Sequence, residues 1–426
     1  MLDRTVTFIL AGGVGSRLHP LTTERAKPAV PFGGKYRIID FALSNCLHSG
    51  LRRILVLPQY KSHSLFKHLR DGWSIYNPSL GEYITPVPPQ MRTDESWYVG
   101  TADAIYQNLY LLERSGAEYV LVLAGDHIYR MDYAAMIANH VERRADVTIA
   151  CMPVPLRDAT EFGVLEVDDN HLVQGFVEKP AHPNPLPGQS DQALASMGIY
   201  IFNRKLLTKV LRADHDRAES KHDFGKNILP SLVGVERVQA YLFGGQKGRV
   251  TADRYWRDVG TIDSYYQANL DLLKPQPPID LYQSNWPIRT AESQSPPART
   301  RQGSQGNEPE IINSMLCAGT VVCGGAVWSS ILSRSVTIDE DAVVEEALLF
   351  DGVQVGAGAR LKRCIIDKEV IIPAGTEIGW NRAQDEQRFT VSPSGVVVVP
   401  KGYVFESSGN PPKPPINGHR KSLVTT

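Results

Sequence analysis

The sequence predicts an α/β unit with a mostly parallel sheet, joined by a connector to a parallel β-helix. Three observations carry this. Up to about residue 275, continuous apolar runs alternate with segments of helical period. Between 276 and 310 the composition turns to Pro, Ser, Gln and Gly, and no period survives. From 311 to about 380, Val, Ile and Leu return at a fixed interval of seventeen residues.

In the first unit, residues 1–275, the runs RRILVLPQY (52–60), YVLVLAGDH (119–127) and DVTIACMPV (146–154) are apolar almost throughout, as strands covered on both faces are. Helical segments lie between them. In TADAIYQNLYLLERSG (101–116), Ile105, Leu109 and Leu112 share a face, with Thr101 as N-cap and Gly116 as stop. MDYAAMIANHVERR (131–144) reads the same way, with Asp132 as cap. Strands alternating with helices imply a mostly parallel sheet, and ligands of such sheets sit beyond the carboxyl ends of strands. The connector, 276–310, contains LYQSNWPIRT (281–290), which is too aromatic for a free linker and is expected to pack on its surroundings.

In the last unit, residues 311–400, three series share the interval: Val321, Ile338, Val355 and Ile372; Val327, Val344, Leu361 and Ile378; Leu332, Leu349 and Ile366. Within one cycle the steps are six, five and six, which brings one apolar residue per side of a triangular coil into a central column. An α-helix would need steps of three and four. Ala342, Ala359 and Thr376 recur at the same interval and suit tight corners. The tail, 401–426, with GNPPKPPINGHRKS, reads as disordered.

The 426 residues carry a formal net charge of −1, so nothing points to nucleic acid or an anionic membrane as partner. The first residues lack a signal-peptide layout, and no apolar run reaches bilayer length. Five cysteines without CxxC spacing argue against a disulfide framework and a zinc site. A reduced, cytoplasmic enzyme is the expectation.

The chemistry starts at LAGGVGSRL (10–18). A glycine cluster after a strand leaves backbone N–H groups free to face an anion, although a turn with no ligand would look the same. Arg17 favours the anion, because its planar fork suits phosphate oxygens. No Lys-Ser/Thr follows, so this is not a P-loop, and the third glycine of a dinucleotide fingerprint is replaced by Leu18. Arg25, Lys27, Lys35 and Arg37 then bunch around two more glycines. Such a run is commonly a solvated face, but Pro28 and Pro31 hold Lys27 on a stiff segment near the first loop. A second contact to the same polyphosphate is the favoured reading. Asp126 ends a buried strand after Gly125, where it could bind a metal or cap the next turn. Asp258, in YWRDVGT (255–261), stands in a loop before a helix that starts near Thr261. Two carboxylates above one sheet suit Mg²⁺. Glu178 and Lys179 in FVEKP (176–180) suit a sugar phosphate, the acid accepting hydroxyls and the base taking phosphate charge. No Ser-His-Asp or Cys-His arrangement is evident, and His127 is read as structural rather than as a base. Phosphoryl-type transfer rests on positioning and charge neutralisation instead.

Taken in order, these residues resemble the sugar nucleotidyltransferases, most closely the bacterial glucose-1-phosphate adenylyltransferase branch. The matching stretches are LAGGVGSRL, RAKPAVPFGGKYRIIDFALSN, WYVGTADAIYQN, LAGDHIYRMDY, FGVLEVDD, FVEKP, SMGIYIF, YWRDVGT and NWPIRT. They cover nearly the whole chain to about residue 290, and the β-helix is similar to the family's second domain. The first motif is shared by many nucleotidyltransferases, whereas the full set is specific to this branch. The resemblance implies a Rossmann-like catalytic domain and a left-handed β-helix serving assembly and regulation in a homotetramer. It implies transfer of the adenylyl group of ATP to α-D-glucose 1-phosphate for glycogen synthesis, with Mg²⁺. By this likeness Ala11, Gly12, Gly13, Gly15, Arg17 and Lys27 would hold ATP, with Gln59 and Gln90 on the adenine side. Asp126 and Asp258 would hold the metal, and Tyr98, Gly163, Glu178, Lys179 and Ser196 the glucose 1-phosphate. Arg17, Lys27 and Asp126 would be catalytic. Arg25, Arg37, Arg114 and Arg388 match basic positions of the family's effector site, which implies a phosphorylated or nucleotide effector. Glu24 stands where members activated by fructose 1,6-bisphosphate often carry lysine, and the C-terminal VVVPKGYVFESSG lacks their basic segment, so the effector's identity stays open.

Three rivals remain. A catalytically silent regulatory subunit is disfavoured by the intact Arg17, Lys27, Asp126, Lys179 and Asp258. An acyltransferase β-helix would want a histidine between coils, and 321–378 has none. A nucleotidyltransferase for another base or sugar is set aside only by the branch-specific motifs.

Overall fold

The computed structural model describes residues 1–90, 97–244, 249–250 and 254–405. The chain divides into two units, Met1–Gln294 and Ser295–Thr426. Among the described residues, no helix is long and apolar enough to cross a membrane.

The first unit is built on a nine-stranded sheet. The strands of this unit are β1 (Thr5–Ala11), β2 (Pro31–Phe32), β3 (Tyr36–Arg37), β4 (Arg53–Pro58), β5 (Tyr83–Pro86), β6 (Tyr119–Ala124), β7 (His127–Tyr129), β8 (Val147–Pro155), β9 (Gly163–Val167), β10 (Val173–Glu178), β11 (Gln192–Asn203), β12 (Val238–Leu242) and β13 (Trp256–Asp258), of which β2–β3 form a small hairpin and β7–β13 a two-stranded ribbon outside the nine-stranded sheet. The sheet runs β10-β9-β11-β6-β1-β4-β5, with β8 pairing both β11 and β12. β1 is parallel to β4 and β6, and β4 to β5. β11 lies antiparallel beside β6 and extends the sheet toward β9 and β10. The apolar runs of 52–60, 119–127 and 146–154 are β4, β6 and β8. Successive residues of β1 face opposite cores: Phe8 packs with Val122 and Ile105, and Ile9 with Leu123 and Ile39, all fully buried. Burial on both faces is why these strands carry no polar alternation.

The helices follow α1 (Ile39–His48), α2 (His63–Trp73), α3 (Thr101–Tyr106), α4 (Leu109–Arg114), α5 (Tyr133–Glu142) and α6 (Arg204–His215). Asp132 caps α5, its carboxylate accepting the Ala134 N–H at 3.0 Å. Thr261 and Ser264 form a capping box at Ile262–Leu270. Thr101, expected as a cap, is instead the first residue of α3. The His222 carbonyl accepts the Ala102 and Asp103 N–H groups at 2.8 and 3.3 Å, so a distant backbone does the capping and frees the threonine hydroxyl.

The stretch 276–310, read as a connector, is divided between the units. Trp286, Ile288 and Thr290 are buried, and the Trp286 indole donates to Asn45 Oδ1 at 3.0 Å. The aromatic patch thus packs on α1, as its composition suggested. Arg299–Arg301 and Glu310–Ile312 are already strands of the second unit.

That second unit stacks the strands of its coils in parallel into three sheets around one apolar column, as parallel β-helices do. Val327, Val344, Leu361 and Ile378 stack in register and are fully buried, as are Leu332, Leu349 and Ile366. Val321 departs from its series. Val322 pairs with Ile338 and is the buried residue. The corner after it is one residue shorter than its counterparts, five positions from Val322 to Val327 against six from Ile338 to Val344, and it is tight: a side chain at Gly325 would come within 2.8 Å of the Asp339 carbonyl. Val397–Val399 adds a strand beside Cys364–Ile366, and Tyr403 and Phe405 pack on Phe389. Two of the first five residues of the tail expected to be disordered, Tyr403 and Phe405, are therefore packed against the column, whereas Lys401, Gly402 and Val404 are exposed; residues 406–426 lie outside the described part.

Candidate active site

Two loops that follow β1 fold onto each other. Gly15 has φ 65°, and a Cβ there would sit 3.0 Å from Thr22 Cγ2 and 3.2 Å from Lys27 Cβ. The Thr22 hydroxyl donates to the Gly15 carbonyl at 2.9 Å. The glycine loop is thereby laid on the segment carrying Lys27, as the two prolines suggested. Gly12 faces Gln59 at the end of β4, where an added Cβ would lie 3.2 Å from the glutamine side chain, whereas Gly13 faces open space.

Lys27 is the hub. Its ammonium donates to Asp126 Oδ2 and to Asp258 Oδ1, both at 2.9 Å. The side chain is 9% exposed. Asp126 follows β6, where the Gly125 N–H bonds the Leu10 carbonyl and the glycine lets the chain pass close to Ile9. Asp258 is brought across 132 positions by the β7–β13 ribbon, in which it pairs with His127. Arg17 reaches Glu161 at 3.2 Å and Asp258 at 3.9 Å. Burial by itself would raise the Asp126 carboxyl pKa and lower that of the Lys27 ammonium, but their mutual attraction outweighs it. The aspartate is held well below the usual carboxylate range and the lysine above its ordinary value.

His127 stands beside this cluster, with Nε2 3.6 Å from Asp126 and 3.9 Å from Asp258. Its ring meets the edge of Trp256 at 5.1 Å, and Nδ1 is buried without a partner. Among the described residues, Asp126, His127 and Asp258 form the group whose ligand atoms all lie within 4.8 Å of one another. Two converging carboxylates, bridged by the one ammonium, are a donor set that fits a hard divalent cation.

In front of the cluster opens a cleft of about 500 Å³. Gly12, Gly13, Gln59, Tyr98, Asp126 and Glu178 line it. Ala11, Gly15, Arg17, Lys27 and Asp258 are not among its lining residues; Lys27 adjoins it through its bond to Asp126, and Asp258 through its bond to Lys27. Gly163 pairs with Glu178 across β9–β10, and a Cβ there would sit 2.9 Å from Glu178 Oε2. Lys179 follows at φ 50° with an exposed side chain. Ser196 lies at the irregularity of β11, its hydroxyl accepting the Gly198 N–H at 3.3 Å, and Gly198 and Tyr200 line the cleft.

Gln90 is not part of this cleft. The chain after β5 turns toward α4, where Gln90 accepts the Tyr110 hydroxyl at 3.2 Å and lines a separate hollow of about 520 Å³ with Arg114. Arg25 is buried, and Arg37 donates to the Ala29 carbonyl. Arg388 belongs to the second unit, its guanidinium 4.7 Å from the Phe389 ring centre.

Sequence reasoning missed Thr101, Asp223, Phe224, Gly225 and Tyr200 in the cleft wall, and Glu161 as the partner of Arg17. HDFG (222–225) ends no apolar run, so the rule of inspecting strand ends passed over it. An acid beside Phe-Gly was the only signal.

The nucleotidyl transferase family model matches residues 6–275, and the GlmU-like C-terminal hexapeptide model matches 296–399. The chain is 59% identical over 406 residues to glucose-1-phosphate adenylyltransferase 2 of Vibrio cholerae, covering 95% of this chain and 100% of that one. It is 60% identical over 404 residues to the protein of the same name from Vibrio parahaemolyticus, with 95% and 100% covered. Against glucose-1-phosphate adenylyltransferase of Yersinia pseudotuberculosis the identity is 48% over 400 residues, with 93% and 94% covered.

Proposed function

The chain belongs to the nucleotidyl transferases, in their glucose-1-phosphate adenylyltransferase branch, and on that premise we infer that its cleft joins ATP to glucose 1-phosphate, releasing pyrophosphate and ADP-glucose for glycogen synthesis. The observation that carries this reading is the cation-bridged carboxylate pair, Asp126–Lys27–Asp258, set between a glycine loop and the Glu178 wall of one cleft.

The glycine loop offers backbone N–H groups to the triphosphate, and Gln59 stands beside it for the base. Glu178, with Gly163 giving it room, accepts sugar hydroxyls, while Lys179 takes the sugar's phosphate charge. Tyr98 and Ser196 complete that end. A sugar phosphate needs no base to attack, since its second pKa near ~6 leaves it mostly deprotonated at neutral pH. Its oxygen attacks the α-phosphorus in line, and Arg17 and Lys27 stabilise the charge that gathers on the departing pyrophosphate. Asp126 and Asp258 would hold Mg²⁺, which supplies Lewis-acid stabilisation of the transferring phosphoryl group. A cytoplasmic homotetramer responding to an anionic effector through Arg25, Arg37, Arg114 and Arg388 goes with the same reading.

A pyrophosphate-release assay crossing ATP, UTP, dTTP and GTP with several sugar 1-phosphates tests it. ATP with glucose 1-phosphate should give the highest kcat/KM; a different best pair, or no turnover, overturns the assignment. Activity across a panel of phosphorylated glycolytic intermediates tests the effector, and a flat response removes it.

A further inference from the structure

One wall of the cleft is held by a device outside it. Asp223, Phe224 and Gly225 line the cleft on one side of a seam, and Gly100 and Thr101 on the other. The Thr101 hydroxyl bonds across the seam, donating to Asp223 Oδ2 at 2.9 Å and accepting the Phe224 N–H at 3.0 Å. Behind it, the His222 carbonyl takes the first N–H groups of α3. Gly100 has no room for a side chain there: a Cβ would lie 2.2 Å from that carbonyl.

His222 makes these contacts in a left-handed backbone conformation, φ 48°, that a residue with a side chain adopts only at a cost. What offsets the cost is its ring. Nδ1 meets Asp214 Oδ2 at 2.8 Å, and the other Asp214 oxygen accepts the Ser220 hydroxyl at 2.7 Å. That hydroxyl in turn accepts the His222 N–H at 3.0 Å. Asp214, near the end of α6, is 6% exposed, so the loop 220–225 is tied at both its start and its strained residue to one buried carboxylate. The wall this positions stands against Glu178, since a Cβ at Gly225 would come within 2.3 Å of Glu178 Oε2. Burial first, and then the Asp223 charge, push the Glu178 carboxyl up, a further sign that the two acids share one space.

We propose that Asp214 and His222 are positioning residues for the sugar-phosphate end of the cleft: they hold the 220–225 loop so that Asp223 and Gly225 meet the sugar beside Glu178. This rests on the reading of that end as the glucose 1-phosphate site. Neither residue lines the cleft, and both act through the loop.

The test compares the full-length protein with His222→Ala, His222→Asn and Asp214→Asn, measuring kcat and KM for each substrate with the other saturating, alongside the melting temperature. His222→Ala should lower kcat/KM for glucose 1-phosphate by roughly ten- to a hundredfold, the scale of a small misplacement of a binding group. The KM for ATP should stay within about twofold, since the glycine loop is untouched. His222→Asn should recover most of the loss, because asparagine tolerates the left-handed backbone and can still bond Asp214. Asp214→Asn should fall between the two and carries the same expectation if the alanine variant does not fold. Equal losses for both substrates, or failure of asparagine to rescue, would overturn the proposal while leaving the function standing. A wild-type protein that does not use glucose 1-phosphate overturns both.

Discussion

Replacing Lys27 by methionine keeps most of the side chain's volume and removes its charge. The two carboxylates it bridges offer oxygens no more than 4.8 Å apart. At an effective dielectric of about 20, two unit charges at that distance repel by about 3.5 kcal/mol. Asp126 and Asp258 are 33% and 22% exposed, so water screens part of this, and a penalty on the order of 1–3 kcal/mol is expected. The lost ammonium should therefore lower the melting temperature by several degrees. Millimolar Mg²⁺ or Mn²⁺ should restore part of the drop in the variant and stabilise the wild type less, because the Lys27 ammonium there already offsets part of the charge of the two acids. A ligand that binds only the folded state stabilises it in proportion to the logarithm of its concentration over Kd. In the pyrophosphate-release assay kcat should fall by about 10²–10³, the usual loss for one contact to a transition-state charge. Differential scanning fluorimetry with a cation titration reads the first effect. A Lys27→Met protein that melts with the wild type and shows no greater response to the cation would refute the idea that Lys27 neutralises this pair.

Three further outcomes follow from the same geometry. Asp126→Asn and Arg17→Ala should each lower kcat by about 10²–10³, and near-normal turnover in either would remove that residue from the chemistry. Leu361→Ala empties a fully buried position in the β-helix column and should cost about 2–5 kcal/mol, read as earlier unfolding of the second unit in a denaturant titration. His140 is buried between Thr148 and Asn203, and burial holds its folded pKa below the ordinary value. Above about pH 6.5 both folded and unfolded forms are neutral; below it the unfolded chain takes up the proton first, so stability falls with pH. His140→Gln should flatten that dependence in acid denaturation curves, and an unchanged slope would assign the loss to other groups.

The architecture was largely legible because period is a local property. Uninterrupted apolar runs marked β4, β6 and β8, and the interval of seventeen marked the column from Val327 to Ile378. It failed by one residue at Val321, where the corner is one residue shorter and the adjacent Val322 is equally apolar, so no hydrophobicity pattern could register it. Asp132 caps its helix as expected, and Thr261 caps the helix expected to start near it, since each cap uses residues two or three positions away. Thr101 does not, because the carbonyl that replaces it comes from His222, 121 positions later.

The same division runs through the site. The sequence by itself determined which chemistry was present: a glycine loop with Arg17, a stiffened Lys27, and acids at strand ends, each carried by a short stretch whose meaning depends on its neighbours. Only the tertiary structure decided how they combine. It put Lys27 between Asp126 and Asp258, sent Gln90 to another hollow, and brought Glu161 to Arg17 and Asp223 to Thr101. Those pairings depend on sheet order and on the β7–β13 ribbon, which are long-range hydrogen-bonding choices. No local pattern encodes them, because their partners lie about a hundred residues or more apart.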